Sequence, residues 1–234
     1  MVDTKPLAQF SWRSALDVLT SLAVIATAMV VVWRYAHDTQ PLAPRRPALA
    51  VPSQPLRLGD ATILGSVTAP KALIEFADFE CSFCGKFARE VFPELKRLYI
   101  DTGQLLFAFK HLPLPNHKFA MRAAEAVECA GEQQQFWPMH ERLFQGDGIL
   151  AEEALRATAD LVGLEPQMFI ACLDSGRSVT KISGEVALAT QLGVTGTPAF
   201  LLGTLANGEV IVSSVLTGAR PLEEFKAAIE AGRR

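Results

Sequence analysis

The chain has 234 residues, a formal net charge of −3 and 20% charged residues, with no basic block that would offer nucleic acid an electrostatic footprint. Half of the residues are hydrophobic. Residues 58–234 suffice for one domain with a substantial core, whereas the first 57 do not read as globular.

The first predicted element is apolar. Ala15 to Trp33 (ALDVLTSLAVIATAMVVVW) carries a single charge, Asp17 near its start. As a helix this run reaches roughly 28 Å, close to the hydrocarbon thickness of a bilayer. Trp12, Trp33 and Tyr35 flank it, as aromatics do at a membrane interface. The segment is therefore read as a single-pass anchor over 15–35, after a cytoplasmic segment over 1–14. A cleavable signal peptide is the competing reading, but Ala26-Thr27-Ala28 lies inside the apolar run and Ala48-Leu49-Ala50 well beyond it. Lys5 and Arg13 precede the span while Arg34, Arg45 and Arg46 follow it, so loop charge does not orient it. Residues 36–57 contain Pro41, Pro44, Pro47, Pro52 and Pro55 and predict a semi-extended linker.

The remainder alternates between strand and helix signals. Leu58–Leu64 is a short strand or lead-in, and Lys71–Asp78 is a buried strand. A helix follows to about Thr102, with Phe83, Phe87, Val91, Leu95 and Leu98 on one face and Pro93 predicting a kink near Val91–Phe92. Gln104–Leu112 is a second strand, ended by Pro113 and Pro115. Five helices are then expected over 117–130, 133–145, 151–162, 166–174 and 178–192, separated by glycines. Strands resume at Pro198–Gly203 and Glu209–Val215 around Asn207-Gly208, a strong hairpin signal. A last helix spans Pro221–Ala231. The fold class is α/β with an all-helical insertion over about 113–193.

Cys81-Ser82-Phe83-Cys84 sits where the buried strand gives way to the helix. Backbone N–H groups at a helix N-terminus favour the thiolate form of the first sulfur, and the second, one turn on, can close a disulfide with it. Alone, the motif also admits half of a zinc site. His111 and His117 are too widely spaced, across two prolines, for the common zinc ligand pair. His37 lies in the linker, and His140 falls on a helix whose Phe136 and Leu143 read as core.

The run Glu75-Phe76-Ala77-Asp78-Phe79-Glu80-Cys81-Ser82-Phe83-Cys84, with Gly193-Val194-Thr195-Gly196-Thr197-Pro198 far downstream, resembles the DsbA-like thioredoxin-fold thiol:disulfide oxidoreductases. The resemblance covers essentially all of 58–234, including the place of the helical insertion. It implies that Cys81 is the attacking thiol and Cys84 the buried resolving thiol. Thr197-Pro198 corresponds to the cis-proline turn that faces the active site and offers Thr197 backbone groups to a substrate strand. Glu75 matches a buried acid that assists proton transfer at the resolving cysteine; the plain alternative is an exposed Glu on an edge strand. Asp78 and Glu80 are near enough to tune the thiolate. Cys129 and Cys172 match positions of a structural disulfide in the insertion, against a reading as two buried free thiols. No cofactor or metal is implied.

The activity implied is oxidation of cysteines in secreted or envelope proteins through a Cys81–Cys84 disulfide. The partners would be reduced or misfolded cysteine-containing proteins and a quinone-linked membrane thiol oxidase. The catalytic domain would lie on the periplasmic or extracytoplasmic side of the inner membrane. A reductase or isomerase of the same fold is the alternative, although residues 1–57 are not expected to hold an isomerase-type dimerisation domain. A tethered binding module with inert cysteines is a third reading.

Overall fold

In the computed structural model the described residues are 12–38, 49–146 and 148–231, with side chains described from residue 20 to 35 in the first of these segments. The chain forms two units, Met1–Ala48 and Leu49–Arg234. The first contains one helix, α1 (Trp12–Asp38). Its described side chains, Thr20 to Tyr35, are all exposed, among them Val24, Met29, Val32 and Trp33. Among the described residues no helix is long and apolar enough to cross a membrane. The span expected over 15–35 is therefore not found among them. The expected segment 1–14 falls mostly outside the described residues, and so does the middle of the linker, 39–48.

The second unit is built on a six-stranded sheet in the order β1-β6-β5-β3-β4-β2. The strands are β1 (Leu56–Arg57), β2 (Thr62–Leu64), β3 (Lys71–Ala77), β4 (Leu105–His111), β5 (Ala199–Ala206) and β6 (Glu209–Thr217). β3 pairs parallel with β4 and antiparallel with β5, so it is flanked on both sides. That setting explains its near-continuous apolar run. Of the lead-in expected over 58–64 only Thr62–Leu64 forms a strand, β2; β1 lies before it, at the end of the segment expected as linker, and the two strands lie on opposite edges of the sheet. Asn207 and Gly208 both take positive φ, 53° and 75°, as a two-residue hairpin turn between β5 and β6 requires. Gly203 sits at the register shift in β5, where a Cβ would lie 2.1 Å from the Ile211 carbonyl oxygen.

The alternation of β3 divides the core. Ala72, Ile74 and Phe76 face a layer with α8 (Val179–Gln191), while Leu73 and Ala77 face the larger cluster beneath the helical insertion. The long helix expected after the cysteine motif is three pieces: α2 (Ser82–Glu90), α3 (Phe92–Leu95) and a π-helical turn over Lys96–Ile100. The break falls at Val91, just before Pro93, which cannot donate an interior helical hydrogen bond. Phe87 of α2 packs on Phe92, Phe200 and Phe225, the last from α9 (Leu222–Glu230), and fixes α2 against the sheet.

The insertion comprises α4 (Ala120–Glu132), α5 (Phe136–Gln145), α6 (Glu152–Leu161) and α7 (Pro166–Ser175), followed by α8. α4 starts at Ala120 and not at 117, because backbone and side-chain groups of 114–119 are bonded to the loop that carries the cysteines. Cys129 on α4 and Cys172 on α7 are joined by a disulfide, with Cα atoms 5.7 Å apart and a sequence separation of 43. Closing a loop of that length restricts the unfolded chain. Replacing both with alanine is expected to lower the unfolding free energy of the domain by about 2–5 kcal/mol. Urea denaturation checks this, and an unchanged midpoint would contradict it.

Candidate active site

Cys81 is the N-cap residue of α2, with extended φ and ψ of −76° and 116°. Backbone N–H groups of Phe83 and Cys84, in the first turn, favour the thiolate form of its sulfur. Cys81 and Cys84 are both free thiols, 8% and 0% exposed. The Cys81 thiol donates to the carbonyl of Thr197 at 3.4 Å, across a gap of 116 residues in sequence. Thr197–Pro198 is a cis peptide bond.

These contacts make the two sulfurs unlike. A hydrogen bond from the Cys84 thiol holds the Cys81 thiol down to about 5; burial opposes it, and Thr197 with the two backbone N–H groups adds to it. Burial pushes the Cys84 thiol well up, and the hydrogen bond to Cys81 and the charge of Glu75 push it further. Glu75 is 2% exposed and shares the face of β3 occupied by Leu73 and Ala77. Burial first, and the Cys81 charge second, raise its carboxyl well above the usual range. The arrangement thus favours the thiolate at Cys81 and the protonated forms of Cys84 and Glu75.

Asp78 and Glu80 hold the loop that leads into Cys81. The buried Asp78 carboxylate accepts the N–H groups of Glu80 and Leu114, each at 2.7 Å, and His117 Nδ1 at 2.7 Å. Glu80 accepts the N–H of Phe119 at 2.7 Å, which places a negative charge at the N-terminus of α4. Beside Cys81 a cleft of about 340 Å³ opens between α2 and the end of α5, with Phe79, Gly85, Arg89, Leu143 and Phe144 among its walls.

The structure therefore gathers Cys81, Cys84, Thr197, Pro198 and Glu75, and leaves Cys129 and Cys172 apart in the insertion. His117 emerges as a neighbour of the site, having been weighed from the sequence only as a zinc ligand. Its partner Asp78 lies 39 residues away, on a different loop, and no local pattern links the two. His111 instead contacts Glu128 at 2.9 Å. His140 is buried among Phe79, Phe109 and Phe144, and burial holds it down to about 3, a neutral core ring. Among the described residues no group of three His, Cys, Asp or Glu side chains is placed to hold a metal ion.

Fold and site together define a thioredoxin-fold dithiol domain with a helical insertion. A family model described as Thioredoxin matches residues 58–231, and the chain belongs to that family. Within it the chain is DsbA-like. The crystal structure of alpha-DsbA1 from Wolbachia pipientis superposes with a TM-score of 0.67 at 28% identity, over 75% of this chain and 92% of that one. Disulfide bond formation protein D of Bacillus subtilis is 30% identical over 137 residues, 58% of this chain and 56% of the relative. The Na(+)/H(+) antiporter NhaA 1 of Salinispora arenicola is 34% identical over 141 residues, 60% of this chain. The match spans only 21% of that antiporter's length.

Because the Cys81 value lies below the ordinary thiol value of 9.0, ionisation of Cys81 stabilises the folded dithiol form fully above about pH 9. That contribution fades as pH falls towards 5, and at pH 7 it amounts to about 2–3 kcal/mol. Thiolate absorbance and iodoacetamide reactivity of the reduced protein should accordingly show a midpoint near pH 5 that is lost in Cys81→Ala. A midpoint above about pH 8 would contradict the described electrostatics.

Proposed function

We propose that the protein is a thiol:disulfide oxidoreductase that oxidises cysteine pairs in other proteins. The observation that carries this reading is the inequality of the two sulfurs. A stabilised thiolate favours the dithiol form over the disulfide, and about 2–3 kcal/mol of such stabilisation corresponds to roughly 60 mV of oxidising potential.

In the proposed reaction the substrate thiolate attacks Cys81 Sγ of the Cys81–Cys84 disulfide. The S–S bond breaks, its electron pair goes to Cys84, and Cys84 takes a proton from Glu75. The second substrate thiolate then attacks the substrate sulfur of the mixed disulfide and expels Cys81 as a thiolate. The substrate leaves as a disulfide, two electrons reside in the dithiol, and Glu75 regains its proton from water. Thr197 lies against Cys81, where its backbone can bond an extended substrate segment, so selectivity for side chains is expected to be broad.

Regeneration calls for an acceptor of two electrons, for which a quinone-linked membrane thiol oxidase is proposed. Substrates are proposed to be reduced cysteine-containing proteins outside the cytoplasm. The residue pattern of 15–35 supports anchoring of the domain to the cytoplasmic membrane on that side. Carbonate extraction of membranes tests the anchor, which predicts retention in the pellet; release into the supernatant argues against it.

The full-length protein, oxidised at Cys81–Cys84, is expected to oxidise a dithiol peptide with stoichiometric loss of its own disulfide. Cys81→Ala should be inactive, and Cys84→Ala mixed with the disulfide form of the peptide should accumulate mixed disulfides at Cys81, the second peptide sulfur leaving as the thiolate. Equal rates for Cys81→Ala and the unaltered protein would refute the proposal. Glu75→Gln is expected to slow turnover about tenfold or more at pH 7, with the fold retained; an unaltered rate would remove Glu75 from the proton path.

A further inference from the structure

His117 is an aromatic base held beside the site by a carboxylate that itself has no exposure. The Asp78 side chain is 0% exposed, and its Oδ2 lies 2.7 Å from His117 Nδ1. The His117 side chain is 21% exposed. Among the described residues no hydrogen bond engages Nε2. The pair is locked by backbone bonds on both sides: Glu80 and Leu114 donate to Asp78, and Phe119 donates to Glu80. One turn of chain, Asp78-Phe79-Glu80-Cys81, thus carries both the carboxylate that grips His117 and the reactive sulfur, with Cys81 N–H bonded to the Asp78 carbonyl at 3.1 Å.

We propose that the Asp78–His117 pair is a proton site coupled to the redox state of Cys81. In the dithiol form an imidazolium at His117 balances the Cys81 thiolate; when Cys81 enters a disulfide, that balance is lost and His117 releases proton density. The proposal rests on the redox reading of Cys81–Cys84. Closing the disulfide transfers two electrons to an oxidised disulfide partner and frees one proton from the Cys84 thiol. His117 adds a fraction of a second proton, so the couple releases more protons than the cysteines alone.

The charges facing His117 are consistent with this assignment. Asp78 grips it, and Glu80 and the Cys81 thiolate act on it from the same turn; together they raise its proton affinity against a partial burial that lowers it. Lys118 follows it on the loop but lies over the Phe119 ring, its Nζ 4.9 Å from the centroid. Cys81 loses its negative charge when it enters the disulfide, so its contribution switches with redox state, and by reciprocity the imidazolium stabilises the thiolate as much as the thiolate stabilises the imidazolium.

The test is the pKa of His117, read from its imidazole proton resonances in the unaltered full-length protein. One sample is held fully reduced and one oxidised at Cys81–Cys84 with oxidised glutathione. The expected result is a value higher in the reduced form by about half a unit or more. Identical values in the two states would overturn the proposal. A protein that forms no Cys81–Cys84 disulfide removes the redox reading itself and this proposal with it; a disulfide that forms without moving His117 removes this proposal alone. His117→Asn keeps a donor to Asp78 without the charge. In that variant the Cys81 thiolate midpoint is expected to rise by about half a unit or more, and an unmoved midpoint counts against the coupling.

Discussion

Two sulfurs three residues apart are held in opposite electrostatic settings, and the rest of the domain serves that difference. Cys81 caps α2, where N–H groups of the first turn and the Cys84 thiol converge on it. Cys84 lies one turn inside, fully buried above Glu75. A carboxylate and a thiolate cannot share that space cheaply, so the proton stays in the interior and the negative charge at the helix end.

Three constraints hold α2 in place. The Phe87 cluster with Phe92, Phe200 and Phe225 pins its inner face. β3, flanked by β4 and β5, ends at Ala77 and delivers the turn to the edge of the sheet. Asp78 and Glu80 then tie that turn to 114–119, so the entry to the insertion and the entry to α2 are bonded to each other. The insertion is in this sense part of the site: it supplies the donors that satisfy Asp78 and Glu80, and α5 supplies one wall of the cleft beside Cys81.

Most of this was legible in the sequence where the signal is local. The order of strands and helices, the Asn207-Gly208 turn and the break before Pro93 follow from periodicity and from residues with restricted backbones. Glu75 could be placed on the face of Leu73 and Ala77 by alternation, but its burial depends on α2 packing above it, which no strand pattern contains. The placing of Leu56–Arg57 and Thr62–Leu64 on opposite sheet edges was not legible, because neither strand is long enough to carry a period. The same holds for His117: its role depends on a carboxylate brought near by the β3–β4 pairing, and sequence spacing suggested only a poor metal ligand. The apolar run over 15–35 shows the converse case, a clear sequence signal of which the described side chains carry only a part.

What separates an oxidase from a reductase on this fold is the direction in which the dithiol pair moves electrons. The reduction potential of Cys81–Cys84, measured by equilibration of the full-length protein with glutathione redox buffers, tests it most directly. A thiolate this stabilised predicts a value more oxidising than about −200 mV, in the range of strong protein oxidants. A value near −270 mV, that of a thioredoxin, would contradict the assignment as an oxidase.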